Sequence, residues 1–302
     1  MLGMAWIEFL SMKLFVCHQS MRLPTSSQNS PCKFHQAKLL ICRNSGGGRS
    51  VRCVYGARRN VRSRRSDKGA FTPKATICAM GTLYLVRHGQ ASFGAADYDQ
   101  LSPLGRQQAV RLGEHWRARG MAFDAVITGT LRRHTQTLEG IAEGLQAAPE
   151  VLQLPGLNEY DSHALIAAIH PQPLGPADTP ERYRAHFRVL CDALAQWMAG
   201  VISPQGMPTW NEFSAGVRSA LDHVRHHHAG QNVLLVSSGG PISTAVGEVL
   251  GTAPEVTIAL NMRIRNSAVT EFSIAPKRLM LQTFNTLPHL NELEHAQWIT
   301  HA

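Results

Sequence analysis

The apolar positions of this chain gather into regular blocks from about position 81 onward. Gly81-Thr82-Leu83-Tyr84-Leu85-Val86 is a short run of branched and aromatic residues, and it predicts a buried strand. Ser102-Pro103 then opens a predicted helix, with serine as N-cap and proline at the first helical position. Leu104, Ala109, Leu112 and Trp116 form its apolar stripe, and Arg106, Arg111 and Arg117 are left for solvent. Ala125-Val126-Ile127 predicts a second strand. A helix follows, with Thr130 as the expected N-cap and Leu131, Thr135, Leu138, Ala142 and Leu145 on one face.

Residues 151–154 predict a third strand. From Ser162 to about Gly230 the pattern is helical, broken by a Pro/Gly-rich stretch over 171–180. Phe187, Leu190, Leu194, Trp197 and Val201 step by three and four, as do Trp210, Phe213, Val217, Ala220 and Val224, so all are expected in the core. Val233–Val236 predicts a fourth buried strand. It leads through Ser237-Ser238-Gly239-Gly240-Pro241 into an apolar helix ending near Leu250. Residues 268–274 and 279–284 read as two closing strands, with a turn at Pro276-Lys277. Strands alternating with helices imply an α/β fold. The expectation is a three-layer α/β/α sandwich with a largely parallel sheet, and the helical insertion, residues 162–230, over its C-terminal rim.

Charge divides the chain. Of 30 basic and 21 acidic residues, residues 1–80 hold fourteen and two, leaving 16 basic and 19 acidic residues beyond. Five of six cysteines also precede Met80, and Cys191 alone follows. Residues 1–79 are therefore set apart from an 80–302 domain as a basic extension without a stable fold. Three readings of it stand open: a transit segment rich in arginine and serine, an arm for anionic surfaces, or translated sequence upstream of a start at Met80. The single cysteine of the domain fits a reducing compartment, the cytoplasm, with organellar import the outcome if residues 1–79 are a transit segment. The domain has no basic stripe for nucleic acid and no run of about 18 apolar residues for a membrane span. His226, His227 and His228 cannot share a helical face and are not read as a metal site.

Chemistry collects at the predicted strand ends. Arg87 and His88 close the first strand, and Gly89 allows a sharp turn. Arg133 lies in the first turns of the helix after the second strand, and Glu159 sits just past the third. The Ser237–Gly240 loop aims backbone N–H groups and a helix dipole at the same rim. Two guanidinium groups, an imidazole, a carboxyl and a helix N-terminus suit phosphate chemistry: arginines clamp oxygens, imidazole attacks phosphorus and the carboxyl delivers a proton.

These residues resemble the histidine phosphatase superfamily, the phosphoglycerate mutase-like family. Leu85-Val86-Arg87-His88-Gly89-Gln90, Leu101-Ser102 with Gly105, Leu131 with Arg133, Gln136 and Thr137, Leu157-Asn158-Glu159 and the stretch Asn285–Leu290 carry the resemblance in order. It implies His88 as the nucleophile that becomes phosphohistidine and Glu159 as the proton donor and later base. Arg87 and Arg133, rather than Arg132, would bind the phosphoryl oxygens, with Ser238 and Gly239 completing the phosphate site. No metal and no organic cofactor is implied. The partner would be a small phosphorylated substrate or a phosphoprotein. One position departs: the family's Ser-His-Gly loop has its histidine replaced by Ser238. The expected activity is phosphomonoester hydrolysis. The alternatives are a catalytically impaired phosphate-binding protein and a phosphoglycerate mutase-like phosphotransferase. His134 or His163 could stand in for the absent imidazole. Specificity is expected in the 162–230 insertion, where His163, His170, Arg182, Arg184, His186 and Arg188 could meet an anion or face solvent.

Overall fold

In a computed structural model of the chain, the structure describes residues 80–92, 99–176, 178–275 and 277–301. Contacts divide the chain into units Met1–Phe71 and Thr72–Ala302. The readings attached to residues 1–79 lie outside the described residues, as does the turn position Pro276.

One six-stranded sheet organises the described part. The strands are β1 (Gly81–Arg87), β2 (Ala125–Thr128), β3 (Val151–Gln153), β4 (Asn232–Ser237), β5 (Val269–Ala275) and β6 (Arg278–Thr286). Their order is β3-β2-β4-β1-β5-β6. β1 to β4 run parallel, while β5 and β6 pair antiparallel on one side, so the sheet is largely parallel as expected. The two central strands are the most apolar because helices cover both of their faces.

The alternation within β1 decides which face each residue buries. Leu83 and Leu85 join Ile127, Val233, Leu235 and Phe272 in one core cluster, while Val86 joins Val126, Leu234 and Val236 in the other. Helices α1 (Pro103–Ala118) and α2 (Arg132–Leu145) close the second face with Ala109, Leu112, Trp116, Leu138 and Ile141. The first face is covered by α3 (Ser162–Ile169), α4 (Pro180–Met198), α5 (Trp210–His227), α6 (Gly239–Leu250) and α7 (Pro254–Asn261). Leu165, Trp197, Phe213, Val217 and Ile242 come from four of these helices. The result is the expected three-layer α/β/α sandwich.

Several local expectations are corrected. Val201 is 70% exposed, not core, because α4 ends at Met198 and the chain turns away through Ala199 and Gly200. The N-cap of α2 is Leu131, not Thr130, whose hydroxyl oxygen accepts from Asn158 Nδ2 at 2.6 Å instead. β3 stops at Gln153 and is an exposed edge. Helix α7 has no counterpart in the sequence reading. Its signal was Pro254 at the first helical position after Ala253. Ser102 caps α1 as expected, accepting the Gly105 N–H at 3.0 Å.

Candidate active site

The site forms at the carboxyl edge of the parallel strands, where β1, β2 and β4 end side by side. β1 delivers Arg87 and His88. The His88 N–H donates to the Ser237 carbonyl at 2.9 Å, so the pairing with β4 continues past the last strand residue. Gly89 is confined by its neighbour: a Cβ there would lie 2.3 Å from the Gly105 carbonyl oxygen.

His88 is 3% exposed, and its Nδ1 lies 2.7 Å from the Gly89 carbonyl oxygen. A carbonyl only accepts, so Nδ1 carries the proton and Nε2 keeps its lone pair. Burial first, then Arg87, Arg133 and His134, hold its pKa well below the ordinary 6.5. The imidazole is therefore neutral and able to act as a nucleophile at neutral pH.

Two arginines flank it. Arg87 Nη1 donates to the Ile264 carbonyl. Arg133 Nη1 donates to Asp99 Oδ1 at 2.7 Å, and Asp99 Oδ2 accepts the Arg132 N–H at 2.8 Å. Asp99 was not anticipated; one carboxylate both orients Arg133 and sits at the start of α2. Asn285 braces the segment that receives Arg87: its Oδ1 accepts from Arg265 N and its Nδ2 donates to the Arg263 carbonyl, both at 2.8 Å.

Glu159 lies against the first turn of α6. The Gly240 N–H reaches both carboxylate oxygens at 3.1 Å. Only glycine permits this approach, because a Cβ on residue 240 would lie 2.2 Å from Glu159 Oε1. Burial raises the Glu159 pKa above its ordinary 4.5, against the opposing pull of the Gly240 N–H, Arg133 and Arg87. Tyr160 is held beside it, its hydroxyl accepting from Asn261 Nδ2 at 2.8 Å. Asn261 is the last residue of α7 and was missed with that helix.

Ser238 is the N-cap of α6, yet its side chain caps nothing. Its Oγ lies 2.6 Å from His134 Nε2 instead. An N-cap serine ordinarily accepts from the second or third helical N–H. Here the second, Gly240, is given to Glu159, and the third is Pro241, which has none. The serine is thereby released to meet the imidazole. His134 is fully buried, its ring 5.9 Å from that of His88, and its Nδ1 has no hydrogen-bond partner among the described residues. Burial and Arg133 lower its pKa to about 3.

A cavity of about 430 Å³ opens above these groups. Arg87, His88, Arg133, Glu159 and Gly239 line it together, whereas Ser238 is buried behind it. Of the insertion's histidines and arginines, His163 and His186 reach the lining, while His170, Arg182, Arg184 and Arg188 do not. Among the described residues, the one group that could hold a metal is Glu292, Glu294 and His295, and none of these lines the cavity. A neutral imidazole, two fixed guanidinium groups and a carboxyl with a raised pKa can bind a phosphoryl group, attack it and protonate its leaving oxygen.

Known proteins resemble this chain in sequence and in fold. A metal-independent phosphoserine phosphatase of Arabidopsis thaliana is 23% identical over 221 residues, covering 71% of this chain and 85% of the relative. A broad-specificity phosphatase of Saccharomyces cerevisiae is 36% identical over 61 residues, 18% of this chain and 26% of its own. A phosphoglycerate mutase from Bacillus anthracis shares the fold with TM-score 0.50 and 16% identity, over 70% of this chain and 95% of that one. The sequence profile of the histidine phosphatase superfamily (branch 1) matches residues 83–287, from β1 to just past β6, and the chain belongs to that superfamily.

Proposed function

We propose that residues 80–302 form a phosphomonoester hydrolase that works through a phosphohistidine on His88. The observation that carries this is the fixed tautomer of His88, with Nδ1 on the Gly89 carbonyl and the ring lining the cavity beside Arg87 and Arg133. Nε2 attacks phosphorus as the P–O bond breaks, and Glu159 gives its proton to the leaving oxygen. Glu159, now a carboxylate, takes a proton from water; the water oxygen attacks phosphorus, the P–N bond breaks, and phosphate leaves with His88 free again. Arg87, Arg133 and the Gly239 end of α6 hold the phosphoryl oxygens throughout. Ser238 acts behind them through His134.

A mutase reading gains nothing from the cavity, whose described lining holds no lysine and no arginine beyond Arg87 and Arg133 to seat a second phosphate. The partner is then a phosphorylated small molecule or phosphoprotein, and a cytoplasmic location fits Cys191 as the single cysteine of residues 80–302. No helix among the described residues is long and apolar enough to cross a membrane. The test is hydrolysis of p-nitrophenyl phosphate by the purified full chain beside His88→Ala, with acid-labile phosphoprotein trapped by rapid quenching. Turnover and trapped phosphate that both vanish in the variant are expected. Turnover that survives in a folded His88→Ala overturns the mechanism.

A further inference from the structure

We infer that the substrate's leaving group is uncharged and apolar, rather than the carboxylate-bearing group of a phosphoamino acid or a phosphoglycerate. This rests on the hydrolase reading and specifies its substrate class. The cavity has a polar floor and apolar walls. Arg87, His88, Arg133 and Glu159 make the floor. The walls come from four separate segments: Leu131 before α2, Ile166 on α3, Phe187 and Leu190 on α4, and Met262 and Ile264 beyond α7. Phe187 and Leu190 are three residues apart, so both point from α4 to the same side. Phe187 and Ile166 are only half buried without substrate. Apolar surface left open in this way is covered when an apolar group enters, which favours binding in proportion to the area removed from water.

The charge above the floor argues in the same direction. The described wall residues include no lysine or arginine, and their groups able to become cationic are His163 and His186. The His163 side chain is 94% exposed, so solvent screens it. Asp161 also lines the cavity, and its carboxylate is fixed there as the N-cap of α3, accepting from the N–H groups of His163 at 2.9 Å and Ala164 at 3.1 Å. Asp161 is itself exposed and its Oδ1 lies 3.9 Å from His163 Nδ1, so this pair offers neither a strong repulsion nor a desolvated cation, and a substrate carboxylate would meet no buried cation among the described wall residues. Burying that carboxylate beside apolar walls without a paired cation is unfavourable. An aliphatic or aromatic leaving group avoids that penalty. The volume of about 430 Å³ lies within the usual range for small-molecule sites and exceeds what a phosphoryl group alone requires.

The test compares kcat/KM of the full chain for 2-phenylethyl phosphate, O-phospho-L-serine and 3-phosphoglycerate, with p-nitrophenyl phosphate as a control for chemistry. The phenylethyl and serine esters are both primary alkyl esters whose leaving oxygen takes a proton from Glu159, so their ratio reports the walls more than leaving-group reactivity. Phenylethyl phosphate is expected to be preferred by about tenfold or more, and Phe187→Ala and Ile166→Ala are each expected to reduce that ratio several-fold. Equal rates, a preference for phosphoserine, or a ratio untouched by both variants overturns the substrate class while the hydrolase stands if p-nitrophenyl phosphate is cleaved. Failure to cleave any of the four overturns the hydrolase reading and the substrate class with it.

Discussion

Replacing His134 by glutamine removes one titration from the centre of the domain and leaves a side chain that can still bond Ser238. The native imidazole is fully buried, touches Ser238 at 2.6 Å, and has a pKa lowered to about 3. In the unfolded chain it titrates near 6.5. Between these values the unfolded state binds the extra proton, so stability rises with pH, is complete above 6.5, and is lost as pH falls toward 3. Three and a half pH units at about 1.36 kcal/mol each come to about 5 kcal/mol over the whole window. The accessible part lies between pH 7 and pH 5, where the wild type should lose about 2 kcal/mol relative to His134→Gln. For a domain of this size that is about 4–8 °C of relative Tm. His289 shares the lowered direction, but it titrates in both proteins and cancels in the difference; His88 is lowered mainly by burial and the two arginines, which both proteins keep, with His134 a smaller cause. Urea unfolding of both proteins at half-unit pH steps measures it. Curves that stay parallel within about 0.5 kcal/mol from pH 7 to pH 5 would refute a neutral, buried His134.

Three other substitutions probe the site from different sides. Gly240→Ala puts a Cβ 2.2 Å from Glu159 Oε1 and 2.7 Å from the Tyr160 ring, so kcat should fall about tenfold or more and overpacking should cost about 1–3 kcal/mol in unfolding; unchanged steady-state rates in the folded variant would show that the carboxyl does not work from that position. Ser238→His, with His134 in place, crowds a second imidazole into a fully buried contact and should cost about 1–3 kcal/mol in thermal unfolding; adding His134→Ala should recover much of that loss, and a double variant no better than the single one would contradict the shared volume. Glu159→Gln should lower kcat by about 10²–10⁴ and abolish the basic limb of the pH profile. In the wild type, His88 stays neutral below 6.5 and Glu159 stays protonated above 4.5, which places the kcat/KM optimum on the acid side of neutrality; a profile that rises steadily above pH 8 would exclude these assignments.

The residues of the site were legible because each lies next to a strand or helix end that hydrophobic periodicity marks out. Val86 before Arg87-His88, and Val236 before Ser237-Ser238, announce where the chain leaves the sheet. Less was visible where a residue's role depends on another element. Nothing local to Ser238 indicates that its hydroxyl leaves the helix it caps, because that outcome requires Pro241 to lack an N–H and Glu159 to occupy Gly240. His134 was named only as one of two candidates, since the choice over His163 depends on which way α2 and α3 face. α2 turns His134 inward against Ser238, and α3 leaves His163 in solvent. Val201 shows the opposite error: it continues a helical period that the backbone abandons three residues earlier. Asp99 and Asn261 have neither periodicity nor a strand end to mark them, and their significance is entirely tertiary.

The pairing of β1 with β4 also has a consequence for synthesis. Leu83 sits opposite Val233, so the strand that carries Arg87 and leads into His88 leaves the ribosome about 150 residues before the strand that completes it. At ordinary translation rates of about 5–20 residues per second, that interval is roughly 8–30 s. Throughout it, the apolar run from Leu83 to Val86 has no parallel neighbour, since its other partner, β5, is made later still. This central strand is therefore among the longest to wait as nascent chain, and it is where a holding chaperone would be expected to bind.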